Sequence, residues 1–123
     1  MAEHVRSLRV LIVEDEPLLA ADLRSLIEDA GHAVVGVAAD VADALAKAEA
    51  LHPDTVTLDL RLRGGESGLD VAEGLRGRGA KIVFLTSYND AETLDRMRRH
   101  APAAVLTKPV AEHELHAALA AAG

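Results

Sequence analysis

Short apolar runs rich in β-branched residues alternate along this chain with segments whose apolar residues recur every three or four positions, and the alternation holds from end to end. The extended runs fall at residues 8–13, 33–37, 56–60, 81–85 and 103–107. The helical patterns are Leu19, Leu23, Leu26, Ile27 and Ala30, stopped by Gly31; Val41, Leu45, Ala48 and Leu51, stopped before Pro53; and Leu69, Val71, Ala72 and Leu75, stopped by Gly77 and Gly79. Leu94 with Met97, then Ala111, Leu115, Ala118 and Leu119, complete the set. Strict alternation with short connections predicts a parallel sheet covered by helices on both faces, joined by right-handed crossovers. The pattern leaves the strand order open.

Start signals agree with these assignments. Pro17 suits a first helical turn, and Asp40-Val41-Ala42-Asp43 and Ser67 with Asp70 have the spacing of capping boxes. Asn89-Asp90-Ala91-Glu92 opens the fourth helix, which has only Leu94 and Met97 as large apolar anchors and crowds Arg96, Arg98, Arg99 and His100 at its end. It is expected to be the least stable element.

Length and composition narrow the function. A chain of 123 residues is sized for one domain, so a single unit over 1–123 with no output domain is expected. Only Phe84 and Tyr88 are aromatic, which leaves no stacking platform for bases, and 13 basic against 20 acidic side chains give −7, which disfavours a phosphate backbone. Nucleic acid is therefore not an expected partner. Cysteine is absent, so thiolate metal sites are excluded, and no apolar run approaches a membrane span or a secretion signal. A cytoplasmic location away from membranes is expected.

The extended runs end in chemistry. The first runs into Glu14-Asp15-Glu16, the third carries Asp59, the fourth ends in Thr86-Ser87 and the fifth delivers Lys108-Pro109. In parallel strands these ends gather at one edge of the sheet, where open α/β folds place their sites. A buried carboxylate such as Asp59 needs cations beside it. An aspartate attacks a phosphoryl group only if a divalent cation and a fixed positive charge offset the repulsion of two anions. Asp15 and Asp59 can give hard oxygen ligands to Mg²⁺, with Glu14 holding a water of its shell. Thr86 can donate a hydrogen bond to a phosphoryl oxygen, and the Lys108 ammonium can pair with another. The chain uses ten arginines and three lysines, so a lysine at this point suggests that a compact point charge is wanted.

The segments Val13-Glu14-Asp15-Glu16-Pro17, Leu58-Asp59-Leu60, Leu85-Thr86-Ser87 and Thr107-Lys108-Pro109 together resemble the receiver domain of two-component response regulators, over essentially the whole chain. The resemblance implies a flavodoxin-like (βα)5 fold with strand order 2-1-3-4-5, a phospho-accepting Asp59, and Mg²⁺ held by Asp15, Asp59 and the Arg61 carbonyl. It also implies a cis Lys108–Pro109 bond, and a role for Arg61 and Tyr88 in tuning self-hydrolysis. Gly64-Gly65-Glu66-Ser67 and Phe84-Leu85-Thr86-Ser87-Tyr88 are similar to the atypical stand-alone alphaproteobacterial receivers with a Phe-Ala-Thr-Gly-Tyr signature, although Leu85 and Ser87 replace the usual Ala and Gly. Those are associated with histidine kinases of the HWE type. A second departure is Val105, three residues before the lysine, where typical receivers carry an aromatic switch.

The expected function is phosphoryl transfer from a histidine kinase or histidine phosphotransfer protein to Asp59, followed by altered protein binding as a relay, sink or kinase regulator. The protein is expected to be a monomer or weak dimer and not a multiple-turnover enzyme. A phosphorylation-independent adaptor is the alternative. A haloacid-dehalogenase-like phosphatase would need a second aspartate where Arg61 stands. His113 and His116 lie on one helix beside Glu112 and Glu114, and two ligands on one helix do not close a coordination sphere. Gly64-Gly65 reads as a flexible loop, since no Gly-Lys-Ser/Thr follows.

Overall fold

A computed structural model of the protein describes residues 7–87 and 90–123, and in it strands and helices alternate as the periodicity demands. β1 (Arg9–Val13) leads to α1 (Pro17–Asp29), β2 (Ala33–Ala38) to α2 (Val41–Leu51), and β3 (Thr55–Asp59) to α3 (Gly68–Gly74). β4 (Lys81–Thr86) leads to α4 (Ala91–Arg98), and β5 (Ala104–Thr107) to α5 (Glu112–Ala122). All strand pairs are parallel, in the order β2-β1-β3-β4-β5, so the fold is the doubly wound flavodoxin-like one.

Side-chain alternation along the strands splits the core into two layers. Val10, Ile12, Val83, Leu85 and Leu106 face Leu23 and Ile27 of α1 and Leu115 and Leu119 of α5. Leu11, Val13, Val56, Leu58, Ile82 and Phe84 face α2, α3 and the one buried residue of α4, Met97. Full burial of each such side chain stabilises the fold by roughly 1.5–3 kcal/mol. With a single aromatic residue in these layers, small helical residues such as Ala44, Ala48 and Ala72 bring helices close to the sheet. At Gly74 an added Cβ would lie 2.6 Å from the end of Leu45, so α2 and α3 pack tightly there.

Helix starts use the expected residues with some differences. The Asp40 carboxylate accepts the Asp43 N–H at 2.8 Å, but Asp43 does not complete a reciprocal box and instead pairs with Lys47 at 3.0 Å. Ser67 Oγ accepts the Leu69 N–H at 3.1 Å, and Asp90 accepts both the N–H and the hydroxyl of Thr93, at 2.9 and 2.8 Å. α1 has no side-chain cap; Pro17 at its start removes one donor that would need a partner.

Three local expectations change. β3 begins at Thr55 and ends at Asp59, because Thr55 already pairs with both Val10 and Lys81. β2 continues to Ala38, which pairs with Val13. Gly64 and Gly65 have φ of 73° and 77°, a left-handed backbone that glycine adopts without penalty, so conformational need rather than flexibility explains the pair. His32, which shows no chemistry in the sequence, is buried, and its Nδ1 accepts the Leu8 N–H at 2.9 Å. Among the described residues no helix is long and apolar enough to cross a membrane.

Candidate functional site

The carboxyl ends of β1, β3, β4 and β5 converge on a cavity of about 210 Å³, lined by residues that include Glu14, Asp15, Asp59, Arg61, Thr86 and Lys108. Backbone bonds fix where these side chains begin. The Glu14 N–H donates to the Ala38 carbonyl at 2.9 Å, and the Lys108 N–H donates to the Thr86 carbonyl at 2.9 Å, so each residue prolongs a ladder by one step. The Lys108–Pro109 peptide bond is cis. At Gly68 an added Cβ would stand 2.1 Å from the Asp59 carbonyl oxygen, so the start of α3 presses directly on the strand end that carries the acid.

Lys108 links the acids. Its ammonium donates to Asp59 Oδ2 at 2.7 Å and to Glu14 Oε1 at 3.1 Å. Glu14 Oε2 accepts the Glu16 N–H at 3.2 Å, and Asp59 Oδ1 accepts the Arg61 N–H at 3.3 Å. Glu14, Asp59 and Thr86 are buried, while Asp15 is half-buried and opens the cavity to solvent.

Burial, together with the hydrogen bond and charge of neighbouring Asp59, pushes the Glu14 carboxyl up to about 7, and Lys108 opposes this only in part. Burial disfavours the Lys108 ammonium, but the hydrogen bonds and charges of Asp59 and Glu14 outweigh it and hold its pKa above the usual lysine value. One ligand oxygen from each of Glu14, Asp15 and Asp59 can be chosen so that all lie within 4.8 Å of one another, an all-oxygen set suited to a hard divalent cation.

Of the sequence-derived positions among the described residues, Glu14, Asp15, Asp59, Arg61, Thr86 and Lys108 border this one cavity, while Pro109 lines the neighbouring apolar one. Tyr88 lies outside the described residues. Glu16, Leu60 and Ser87, which belong to the same sequence segments but have no role assigned from them, also line the cavity. Val105 is half-buried and packs on the Phe84 layer. Two other histidines stand apart: the His100 ring lies tilted at 6.5 Å from that of Phe84, and His116 pairs at 3.8 Å with Glu112 on a half-exposed face of α5. A larger, mostly apolar cavity of about 650 Å³ lies alongside, between Leu19, Leu23 and Leu26 of α1 and Pro109-Val110, and shares Lys108.

Comparison with known proteins agrees with the geometry. A family model described as the response regulator receiver domain matches residues 10–120. The phyllosphere-induced regulator PhyR of Methylorubrum extorquens is 39% identical over 102 residues, covering 81% of this chain and 38% of that protein. The transcriptional regulatory protein PdtaR of Mycobacterium tuberculosis is 35% identical over 108 residues, covering 87% of this chain and 52% of that protein. The signal receiver domain of a modulated diguanylate cyclase from Desulfovibrio desulfuricans G20 superimposes with a TM-score of 0.84 at 39% identity, over 93% of this chain and 91% of that one. The chain thus spans about half or less of the length of these two curated relatives.

Proposed function

Because the chain belongs to the response regulator receiver family, we propose that it accepts a phosphoryl group on Asp59 from a phosphohistidine of a kinase or phosphotransfer protein and signals through changed protein contacts. The observation that carries this reading is the Lys108 ammonium seated on Asp59 at 2.7 Å beside Glu14 and Asp15. Asp15 and Asp59, with the Arg61 carbonyl, would hold Mg²⁺, and Glu14 would hold one of its waters. When bound, the cation supplies the positive charge that lets an anionic carboxylate meet an anionic phosphoryl group.

The transfer forms a bond from an Asp59 carboxylate oxygen to phosphorus as the phosphorus–nitrogen bond of the donor imidazole breaks, the electron pair staying on nitrogen. Lys108 and Thr86 would take the phosphoryl oxygens; both border the cavity that Asp59 lines. The apolar groove beside Lys108 gives a donor protein a surface within reach of that cavity. Arg61 and Tyr88 would tune hydrolysis. Receivers as a class are not multiple-turnover enzymes, and Asp59 here is a stoichiometric acceptor.

The Gly64-Gly65-Glu66-Ser67 and Phe84-Leu85-Thr86-Ser87-Tyr88 segments support a place among the atypical stand-alone receivers, with a histidine kinase of the HWE type as donor. Incubation with acetyl phosphate and Mg²⁺, read by intact mass, is expected to give a labile gain of one phosphoryl group that disappears in Asp59→Asn. A protein that binds its kinase equally well before and after this treatment, and never gains mass, would be an adaptor instead.

A further inference from the structure

We propose that Glu66 is a positioning residue, which pins the loop of residues 60–67, and with it Arg61, against the N-terminus of α2. The inference rests on the reading that Asp59 and Arg61 serve a metal-dependent receiver site. Glu66 Oε1 accepts the Val41 N–H at 2.8 Å, across 25 residues of sequence. Its neighbour at this helix end is Asp40, which takes the Asp43 N–H, so two carboxylates from different loops share the positive end of α2. A second bond, from the Arg63 N–H to the Ala39 carbonyl at 3.4 Å, ties the same two loops.

Within the loop, Arg61 and Ser67 form an antiparallel bridge, the Leu62 N–H donates to the Glu66 carbonyl at 2.9 Å, and the Gly68 N–H donates to the Leu60 carbonyl at 2.7 Å. Arg61 is therefore held rigidly to the residues around Glu66. At Gly64 and Gly65 no atom lies within 4 Å of where a Cβ would stand, so the tip has no packing of its own. Leu60 and Leu62 anchor the start of the loop in the core, and its far side is tied to α2 by two bonds, of which the Glu66 one is the shorter and the charged one. A ligand loop held by a partner group outside the ligand set is a common way to tune metal affinity.

The test compares wild type with Glu66→Ala and Glu66→Gln, because Gln keeps a side-chain oxygen for the Val41 N–H while losing the charge. Mg²⁺ affinity is measured by calorimetric titration, and amide exchange is followed in the metal-free proteins. Glu66→Ala is expected to bind Mg²⁺ about tenfold more weakly, at the low end for groups that orient metal ligands. The amides of residues 61–66 and Val41 are expected to exchange faster in it, and Glu66→Gln to stay within about twofold of wild type by the same reasoning. Glu66→Ala matching wild type overturns the proposal. So does Mg²⁺ binding as weak in Glu66→Gln as in Glu66→Ala with amide exchange of residues 61–66 unchanged in both, which would mean that charge at a distance, not the pinning bond, sets affinity. If wild type itself fails to bind Mg²⁺, the receiver reading falls and takes this inference with it.

Discussion

The loop of residues 60–67 and helix α4 face each other across a shallow cleft, with Arg61, Glu66 and Ser67 on one side and Thr93 and Arg96 on the other, yet they are held in place by different means. The loop is anchored in the core by Leu60 and Leu62 and stitched by backbone bonds at both ends, by Gly68 against the Asp59 carbonyl and by Glu66 at α2. α4 has a good N-cap at Asp90 but Met97 as its one fully buried side chain, while Leu94 packs only partly against the core. Hydrogen bonds fix a geometry, whereas a lone apolar anchor fixes only a depth. The loop is thus held in one geometry, whereas α4 has the least to resist local opening.

The contrast is most severely tested at Gly68. Gly68→Ala forces a methyl group onto a backbone carbonyl that cannot move away, and is expected to cost roughly 3 kcal/mol or more, read from urea unfolding. A loss below about 1 kcal/mol would show that the start of α3 yields easily and the loop is not rigidly seated.

Met97→Ala should cost less, about 2 kcal/mol, at the low end for such truncations because a helix with one anchor can loosen around the cavity. Amide exchange is expected to quicken across α4 and stay unchanged in residues 60–67. Equal quickening in both would place α4 inside the same cooperative unit as the loop.

The next effect is on pH. Glu14 titrates near 7 in the folded metal-free protein against an ordinary value of 4.5, so the folded state binds the extra proton between these values. This group's contribution to stability is full below 4.5 and is lost as the pH rises through about 7. A cation that needs the carboxylate must displace that proton, so Mg²⁺ affinity is expected to rise about tenfold from pH 6 to pH 8, and Glu14→Gln to flatten the dependence. A pH-independent affinity in wild type would remove Glu14 from the metal's surroundings.

The smallest effect is local. Asp90 lies below its ordinary 3.8 because the Thr93 N–H and hydroxyl bond to its carboxylate. That stabilisation is present above 3.8 and disappears as the pH falls through the lowered value. First-turn amides of α4 should exchange faster in Asp90→Ala, and near-identical exchange would mean that packing rather than the cap starts this helix.

Much of the site was legible in the sequence because a strand end is a local event. Val10 to Val13 must be buried, Glu14-Asp15-Glu16 must not be buried without partners, and the same tension recurs at Asp59 and Lys108. The side-chain periods of 2 and 3.6 likewise reveal which residues face a core, and they separated strands from helices to within a residue or two. Sequence alone therefore determined the alternating elements, the apolar faces and the set of acids, hydroxyl and lysine delivered at strand ends.

Only the tertiary structure decided that β1 and β3 are neighbours, that the Lys108 ammonium lies on Asp59 as well as Glu14, and that Glu66 crosses to α2. It also decided that His32 is a buried acceptor for Leu8. Each of these joins residues far apart along the chain, with at least 24 positions between partners in every side-chain bond named. A local pattern constrains a residue's own backbone and burial, but which distant group satisfies its charge or hydrogen bond is fixed only when the sheet assembles.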